Sequence, residues 1–383
     1  MMDPAEPYDR LGVQPLINAS STVTNLGGSL MPQEVVAAMQ AAATQYVDIA
    51  ELQAAAGQRI AALTGNEAAH VTAGCAAAIV LATLATINLG EPRLITRPPL
   101  EDGLAVDVIV DRSHDIAFLP AIRLAGGRVV WIGSDEQTTA EDLQAAITEE
   151  TAAVFYVAGG FYEGTALALD ETIDIAHSRG VPVIVDAAAQ LPPVENLWRY
   201  TKVMGADLAL FSGGKGLRGP QSSGLIVGDR RYVAACAANA SPAPGLARAL
   251  KVGKEEIIGL LRAVEVYVGK DHQADQHSYE LVCANWVAGL NELPGVTALQ
   301  CQINESGQPS PRVLVTVASA EVGGDAIELQ RELWDHTPRV AVRADSPDTF
   351  YITPDTLSDG EADTVFEAIR AACDRLRMGV GGP

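Results

Sequence analysis

From residue 107 to 229 the chain alternates short, continuous apolar runs with amphipathic stretches. DVIVD (107–111), GRVVWIG (127–133), AAVFYVAG (152–159), VPVIVDAA (181–188), ADLALFSGG (206–214) and SGLIVGD (223–229) have the length and apolar character of buried strands. Helical patterns fall between them, near 115–125 and over 140–148, 170–179 and 194–204. Strands apolar on both faces, with helices in turn, imply an α/β sheet, largely parallel and covered on both sides. The pattern changes after about residue 235. ANASPAPG (238–245) is a loop, and 253–292 reads as a long helical stretch with room for an interruption. Strands at 297–303, 312–318, 340–344 and 348–354, with helices at 324–336 and 359–377, predict a smaller α+β domain. The expected division is an N-terminal segment over 1–45, a large α/β domain over 46–250, and the long helix with the small domain over 251–383.

Val71 to Gly90 carries no charge and is long enough to be weighed as a membrane span. Its Ala, Thr and Gly content, with Cys75 and Asn88, fits a buried core helix better. Composition agrees with a globular chain: 383 residues, 48% hydrophobic and 19% charged. The 26 Lys plus Arg stand against 48 Asp plus Glu, a formal charge of −22, which repels phosphate backbones and argues against nucleic acid as the main partner. Cys75, Cys236, Cys283, Cys301 and Cys373 form no C-x-x-C pair, as expected of reduced thiols in a cytoplasmic protein. The polar N-terminus, Met1 to Arg10, lacks the apolar region of a signal peptide.

In open α/β sheets, ligands sit beyond the carboxyl ends of the strands. Strand 181–186 ends in Asp186, and strand 207–211 leads into Ser212-Gly213-Gly214-Lys215-Gly216. If the two strands run parallel, Asp186 and Lys215 emerge at one edge. Thr72-Ala73-Gly74-Cys75-Ala76-Ala77 opens the Ala-rich helix with small residues, and its free N–H groups and positive dipole end suit a phosphate. Taken singly, Asp186 also reads as a helix cap and Lys215 as a solvated loop lysine. Together, a phosphate cradle, a buried carboxylate and a lysine meet the three needs of pyridoxal 5'-phosphate: an anchor, a partner for the pyridine nitrogen and an amine for the Schiff base.

These residues resemble fold-type I pyridoxal-phosphate enzymes, in the branch of bacterial L-seryl-tRNA selenium transferase and the D-glucosaminate-6-phosphate ammonia-lyase-like proteins. The segments that carry the resemblance are INASSTVTNLGGS (17–29), AAHVTAGCAAAIVLA (68–82), DRSHDIAFLPAIRLAGGRVV (111–130), VPVIVDAAAQLPP (181–193) and LFSGGKGLRGPQSSGLIVG (210–228). The resemblance implies the fold-type I architecture, a mainly parallel sheet with a smaller C-terminal α+β domain. It makes Lys215 the Schiff-base lysine and Asp186 the partner of the pyridine nitrogen. Gly74, Cys75 and Ala76 would give backbone N–H groups to the phosphate, and Ser212 a hydroxyl. Gln190 would reach the ring hydroxyl or else be a surface amide, and His114 would stack on the ring or else be a packed core histidine.

Substrate residues follow less directly. Arg339 and Arg343 flank the strand 340–344 and lie four apart, so they point to the same side of it, and either is a carboxylate ligand or a surface charge. Arg218 lies close to the lysine and would take a phosphate or carboxylate, while Lys251 and Lys254 match a charged segment of the branch. The selenium transferase needs a tRNA-binding face, whereas this chain is acidic and starts its sheet domain almost at once. The resemblance therefore implies ammonia-lyase or dehydratase chemistry on a small, anionic, hydroxylated amino acid or amino-sugar acid, begun by Cα deprotonation. A racemase or aldolase is the alternative, ahead of seryl transfer or a non-catalytic binding protein. The resemblance also implies a homodimer or higher even oligomer, with no membrane association.

Overall fold

A computed structural model describes residues 6–97, 103–134, 136–160 and 164–379. The chain forms two compact units: one spans 29–270 with 305–308, and the other gathers 1–28, 271–304 and 309–383. This division differs from the expected one at both ends. The helix Gln33–Ala43 belongs to the large unit, where it packs on the helix Lys254–Val268: its Met39 lies against Gly259, and Lys254 donates to its Ala42 O. The expected helical stretch 253–292 breaks near Asp271, which caps the helix His272–Leu290 by accepting from the N–H groups of Gln273 and Ala274. The break assigns one helix to each unit.

Thirteen strands are numbered in chain order among the described residues. They are β1 (Leu16–Asn18), β2 (Ala68–Thr72), β3 (Asp107–Asp111), β4 (Arg128–Ile132), β5 (Thr151–Val157), β6 (Val183–Asp186), β7 (Leu208–Ser212), β8 (Gly224–Gly228), β9 (Val296–Cys301), β10 (Arg312–Val317), β11 (Arg339–Ala341), β12 (Arg343–Ala344) and β13 (Thr349–Ile352). The large unit is built on a seven-stranded sheet of order β2-β8-β7-β6-β5-β3-β4. Pairings from β7 through β4 are parallel, and β8 runs antiparallel to both of its neighbours. The expected largely parallel sheet is thus present, with β8 as its reversed strand and β2 as an edge strand that the apolar runs above did not include. Gln53, from the helix Ile49–Thr64, stands in for the missing neighbour of β2: its Nε2 donates to Val71 O at 2.8 Å.

Continuous apolar strands are needed because the sheet has a core on each face. Val183 and Val185 of β6 pack into one core with Ala209 and Phe211 of β7, while Ile184, Leu208 and Leu210 pack into the other. The uncharged stretch from Val71 to Gly90 becomes the helix Cys75–Ile87, buried from Ala77 onward in the second core. Among the described residues, no helix is long and apolar enough to cross a membrane.

The small unit has an antiparallel sheet of order β12-β13-β10-β9 and a separate parallel pair, β1 with β11. This corrects the reading of Arg339 and Arg343. The expected strand over 340–344 is split at Val342: β11 pairs with β1, and β12 pairs with β13 in a different sheet. The two arginines therefore share no strand face. Arg339 donates from Nε to Trp334 O at 2.8 Å and lies 4.6 Å over the Trp334 ring, whereas Arg343 is exposed.

His70 sits inside β2 opposite Ile226, 4% exposed, and its Nε2 has no hydrogen-bond partner. Burial disfavours the imidazolium and pulls its pKa from 6.5 to about 4. The unfolded chain therefore binds this proton at a higher pH than the folded chain does. The stability tied to His70 is fully present above pH 6.5 and is lost as pH falls from 6.5 towards 4, up to about 3 kcal/mol at about 1.4 kcal/mol per pH unit. Urea unfolding of the parent and of His70→Leu across this range is expected to show a shallower acid loss in the variant. Equal slopes would refute the assignment.

Candidate active site

The parallel register brings three strand ends to one edge. Val157 of β5 stands beside Asp186 of β6, and Asp186 beside Leu210 of β7, two residues before Ser212. Asp186 and the Lys215 loop therefore leave the sheet side by side, as the sequence reading expected. On the far side of β8, β2 ends at Thr72, opposite Gly224, and runs into Gly74 and the helix Cys75–Ile87.

The lysine loop is held by contacts that leave no room for side chains. A Cβ on Gly213 would overlap Ser223 Oγ, one on Gly214 the Cα of Gln221, and one on Gly216 the Leu191 carbonyl. Lys215 is the only residue between Gly213 and Gly216 with a side chain. Turn bonds from Arg218 N to Lys215 O (2.9 Å) and from Gly219 N to Gly213 O (2.8 Å) close the loop. Arg218 itself has φ +52°, a left-handed conformation that a side chain seldom adopts. Ser223 Oγ donates to Pro220 O at 2.6 Å within the GPQSSG segment, and Gly213 N donates to Ser223 O at 2.9 Å, which ties that segment to the loop.

Asp186 is 4% exposed and accepts from Ala188 N at 3.0 Å through Oδ1. Cys75 Sγ lies 3.9 Å from the same oxygen. Burial raises the Asp186 pKa, while the Ala188 N–H, the positive charge of Lys215 and the Cys75 thiol pull it back. Burial and the Asp186 charge in turn push the Cys75 thiol well up, so Cys75 is a neutral side chain here. No hydrogen bond among the described residues reaches Asp186 Oδ2. A protonated pyridine nitrogen would supply the cationic donor that this buried carboxylate lacks.

The phosphate cradle also fits. Gly74 has φ +81° and ψ 165° at the N-cap, and a Cβ there would meet nothing within 4 Å, so the space above it is open. The first N–H groups of the helix have no carbonyl one turn earlier to bond and point out at the positive end of its dipole. Thr72 Oγ1 donates to Gly74 O at 2.8 Å and fixes the turn. Gly74, Cys75 and Ala76 are thus placed as the sequence reading expected. Ser212, at the end of β7 opposite Gly224, is half-buried.

Two expected residues take different surroundings. His114 closes the short 3-10 turn after β3, and its Nδ1 accepts from Val157 N at 3.4 Å, at the same sheet edge. Its ring is wholly buried, edge-on to Tyr156 at 4.6 Å between centroids, so it offers no open face for stacking. Burial pulls its pKa down to about 4, leaving the imidazole neutral. Gln190 is buried and donates from Nε2 to Ser306 O at 3.0 Å. One amide N–H is therefore committed, which leaves the second N–H and the carbonyl oxygen for any ring contact. Lys254 is likewise engaged, donating to Ala42 O at 2.8 Å and pairing with Glu255.

Three side-chain or backbone roles escaped the sequence reading: the Thr72 hydroxyl, the Ser29 hydroxyl and the 305–308 segment. Ser29 donates to the carbonyls of Gly214 and Lys215. Ser306 O accepts from Gly160 N as well as from Gln190. A serine after two glycines carries no local signal of a partner 185 positions away.

The family model described as L-seryl-tRNA selenium transferase matches residues 16–333. The chain is 31% identical over 370 residues to a D-glucosaminate-6-phosphate ammonia lyase of Salmonella typhimurium, covering 95% of this chain and 96% of that one. It is 35% identical over 345 residues to a 5'-C-glycyluridine monooxygenase-decarboxylase of a Streptomyces species, covering 88% and 84%. Among solved structures, that of a D-glucosaminate-6-phosphate ammonia-lyase superposes with a TM-score of 0.84 at 30% identity, over 98% of this chain and 100% of that one. The lysine loop, the buried carboxylate and the open helix N-terminus at one sheet edge accord with these likenesses: the chain belongs to the L-seryl-tRNA selenium transferase family and is a fold-type I, pyridoxal-phosphate-dependent enzyme.

Proposed function

We propose that this enzyme is an ammonia lyase acting on a hydroxylated, anionic amino acid of the amino-sugar-acid class, converting it to a 2-keto acid and ammonia. The observation that carries the reading is the convergence of Lys215, Asp186 and the Gly74–Ala76 turn at one edge, within a chain alike over nearly its full length to an ammonia lyase of that class. When bound, pyridoxal phosphate supplies an electron sink that acidifies the substrate Cα–H. The Cys75–Ile87 helix N-terminus would hold the phosphate, with Ser212 beside it. Asp186 would keep its negative charge against the pyridine nitrogen, in a site where burial makes that attraction strong. Lys215 would carry the cofactor and, once displaced by substrate, take the Cα proton as general base. Arg218, two positions from the lysine turn, is the candidate for a distal anion, and Arg339 and Arg343 remain candidates for the carboxylate.

A second reading follows from the 35% identity to the Streptomyces monooxygenase-decarboxylase, a reaction class that consumes dioxygen and releases carbon dioxide. We further propose a homodimer or higher even oligomer. The helix Gln33–Ala43, rich in Ala and Val, buries only Val35, and Tyr46 beyond it is wholly exposed. Five free cysteines suit the cytoplasm.

Asp186→Asn keeps the side-chain shape and removes the charge. It is expected to retain less cofactor on dialysis and to turn over about a hundredfold or more slowly, since the charge acts where the transition state needs it. Near-parent turnover would remove Asp186 from its role. A panel of D- and L-amino-sugar acids, with and without a 6-phosphate, is expected to yield ammonia and 2-keto acid in equal amounts without oxygen uptake. Oxygen uptake with carbon dioxide release would favour the second reading. Sedimentation at micromolar concentration is expected to give an even oligomer that Tyr46→Asp weakens, and a fully active monomer would contradict the assembly.

A further inference from the structure

The path of the lysine loop depends on one residue from the start of the large unit. Ser29 donates its backbone N–H to Gly214 O at 3.0 Å. Its hydroxyl lies 3.0 Å from the same carbonyl and 2.9 Å from Lys215 O. A hydroxyl has one proton, so these two carbonyls share it or take it in turn. The Gly214 carbonyl belongs to the peptide plane before the Lys215 Cα, and the Lys215 carbonyl belongs to the plane after it. Each plane is rigid, so holding both fixes φ and ψ at Lys215 and with them the direction of its Cα–Cβ bond. Arg218 N–H holds the second plane as well, at 2.9 Å, but does not reach the first. The glycines around Lys215 have no side chains to do this work.

We propose that Ser29 is a positioning residue for Lys215, holding the two peptide planes that aim the lysine side chain towards the cofactor. This rests on the reading of Lys215 as the lysine that carries pyridoxal phosphate. Ser29→Ala keeps the backbone bond to Gly214, so the loop keeps its path, but it removes the hydroxyl bond to the second plane. Lys215 is then aimed less narrowly, and its bond to the cofactor is more open to attack by an added amine.

The test uses parent, Ser29→Ala and Ser29→Thr, each loaded with pyridoxal phosphate. The readout is the rate at which hydroxylamine discharges the visible absorbance band. Ser29→Ala is expected to discharge roughly three- to tenfold faster, the size of one lost hydrogen bond, and Ser29→Thr close to the parent. The melting points of the cofactor-free proteins should agree within a few degrees. Borohydride reduction and peptide mapping on the same samples locate the modified lysine. A label on Lys215 with equal discharge rates in parent and Ser29→Ala overturns the positioning role and leaves the Lys215 reading standing. A label on Lys202 or Lys251 overturns that reading, and the positioning role with it. Faster discharge that Ser29→Thr does not restore, with a lowered melting point, overturns the inference as general loosening.

Discussion

Steric exclusion around the lysine loop is the constraint on which the rest of the site depends. Gly213, Gly214 and Gly216 lie so close to Ser223, Gln221 and Leu191 that any Cβ would collide. Such contacts leave the loop little conformational freedom, which is what a reactive amine needs if its reach is to be reproducible. The opposing surfaces are themselves fixed. Ser223 is tied to Pro220, and Leu191 closes the turn that follows the strand carrying Asp186. The GPQSSG segment is thus the mould for the lysine loop, through Gln221 and Ser223 against Gly214 and Gly213.

Around that fixed point the electrostatics follow from burial. Asp186 is buried at the end of its strand, and that burial raises its pKa, while the bond from Ala188 N to one of its oxygens pulls it back. The charge of Lys215 offsets part of this, and a cationic ring nitrogen would offset more. His114 and Cys75 at the same edge are both held neutral by burial. The edge thus carries the Asp186 carboxylate and Lys215, with Asp111 at the end of β3 acting on His114, and a helix N-terminus whose dipole suits an anion. That division suits a cofactor that is anionic at one end and cationic at the other.

The sheet edge gathers Lys215, Asp186 and the Gly74 turn, the residues on which the likeness to the family was first read. Proteins of different reaction class, a lyase and a monooxygenase-decarboxylase, are similar to most of this one chain. One scaffold hosting several reactions is expected when the cofactor provides the bond-weakening chemistry and the protein chooses the bond by orientation. In the small unit, Arg339 is stacked on Trp334 and Arg343 is exposed on a separate strand. Their different surroundings make them unequal candidates for holding a substrate carboxylate.

The sequence by itself determined the strands, the core helix and the edge chemistry, because each is a local property. Apolar runs such as VPVIVDAA can only be buried, a turn of Gly and Ala before an uncharged helix exposes N–H groups, and parallel neighbours must deliver Asp186 and Lys215 to one side. Tertiary structure decided what depends on partners far along the chain. The reversal of β8, the edge strand β2 completed by Gln53, and the split between Arg339 and Arg343 are matters of pairing, and an apolar pattern does not encode its neighbour. The sequence left His114 open between ring stacking and core packing, and folding buried it; the commitment of Gln190 to Ser306 was beyond sequence reasoning for the same reason. So was Ser29, whose hydroxyl has no local partner and acquires its meaning only when folding lays the lysine loop across it.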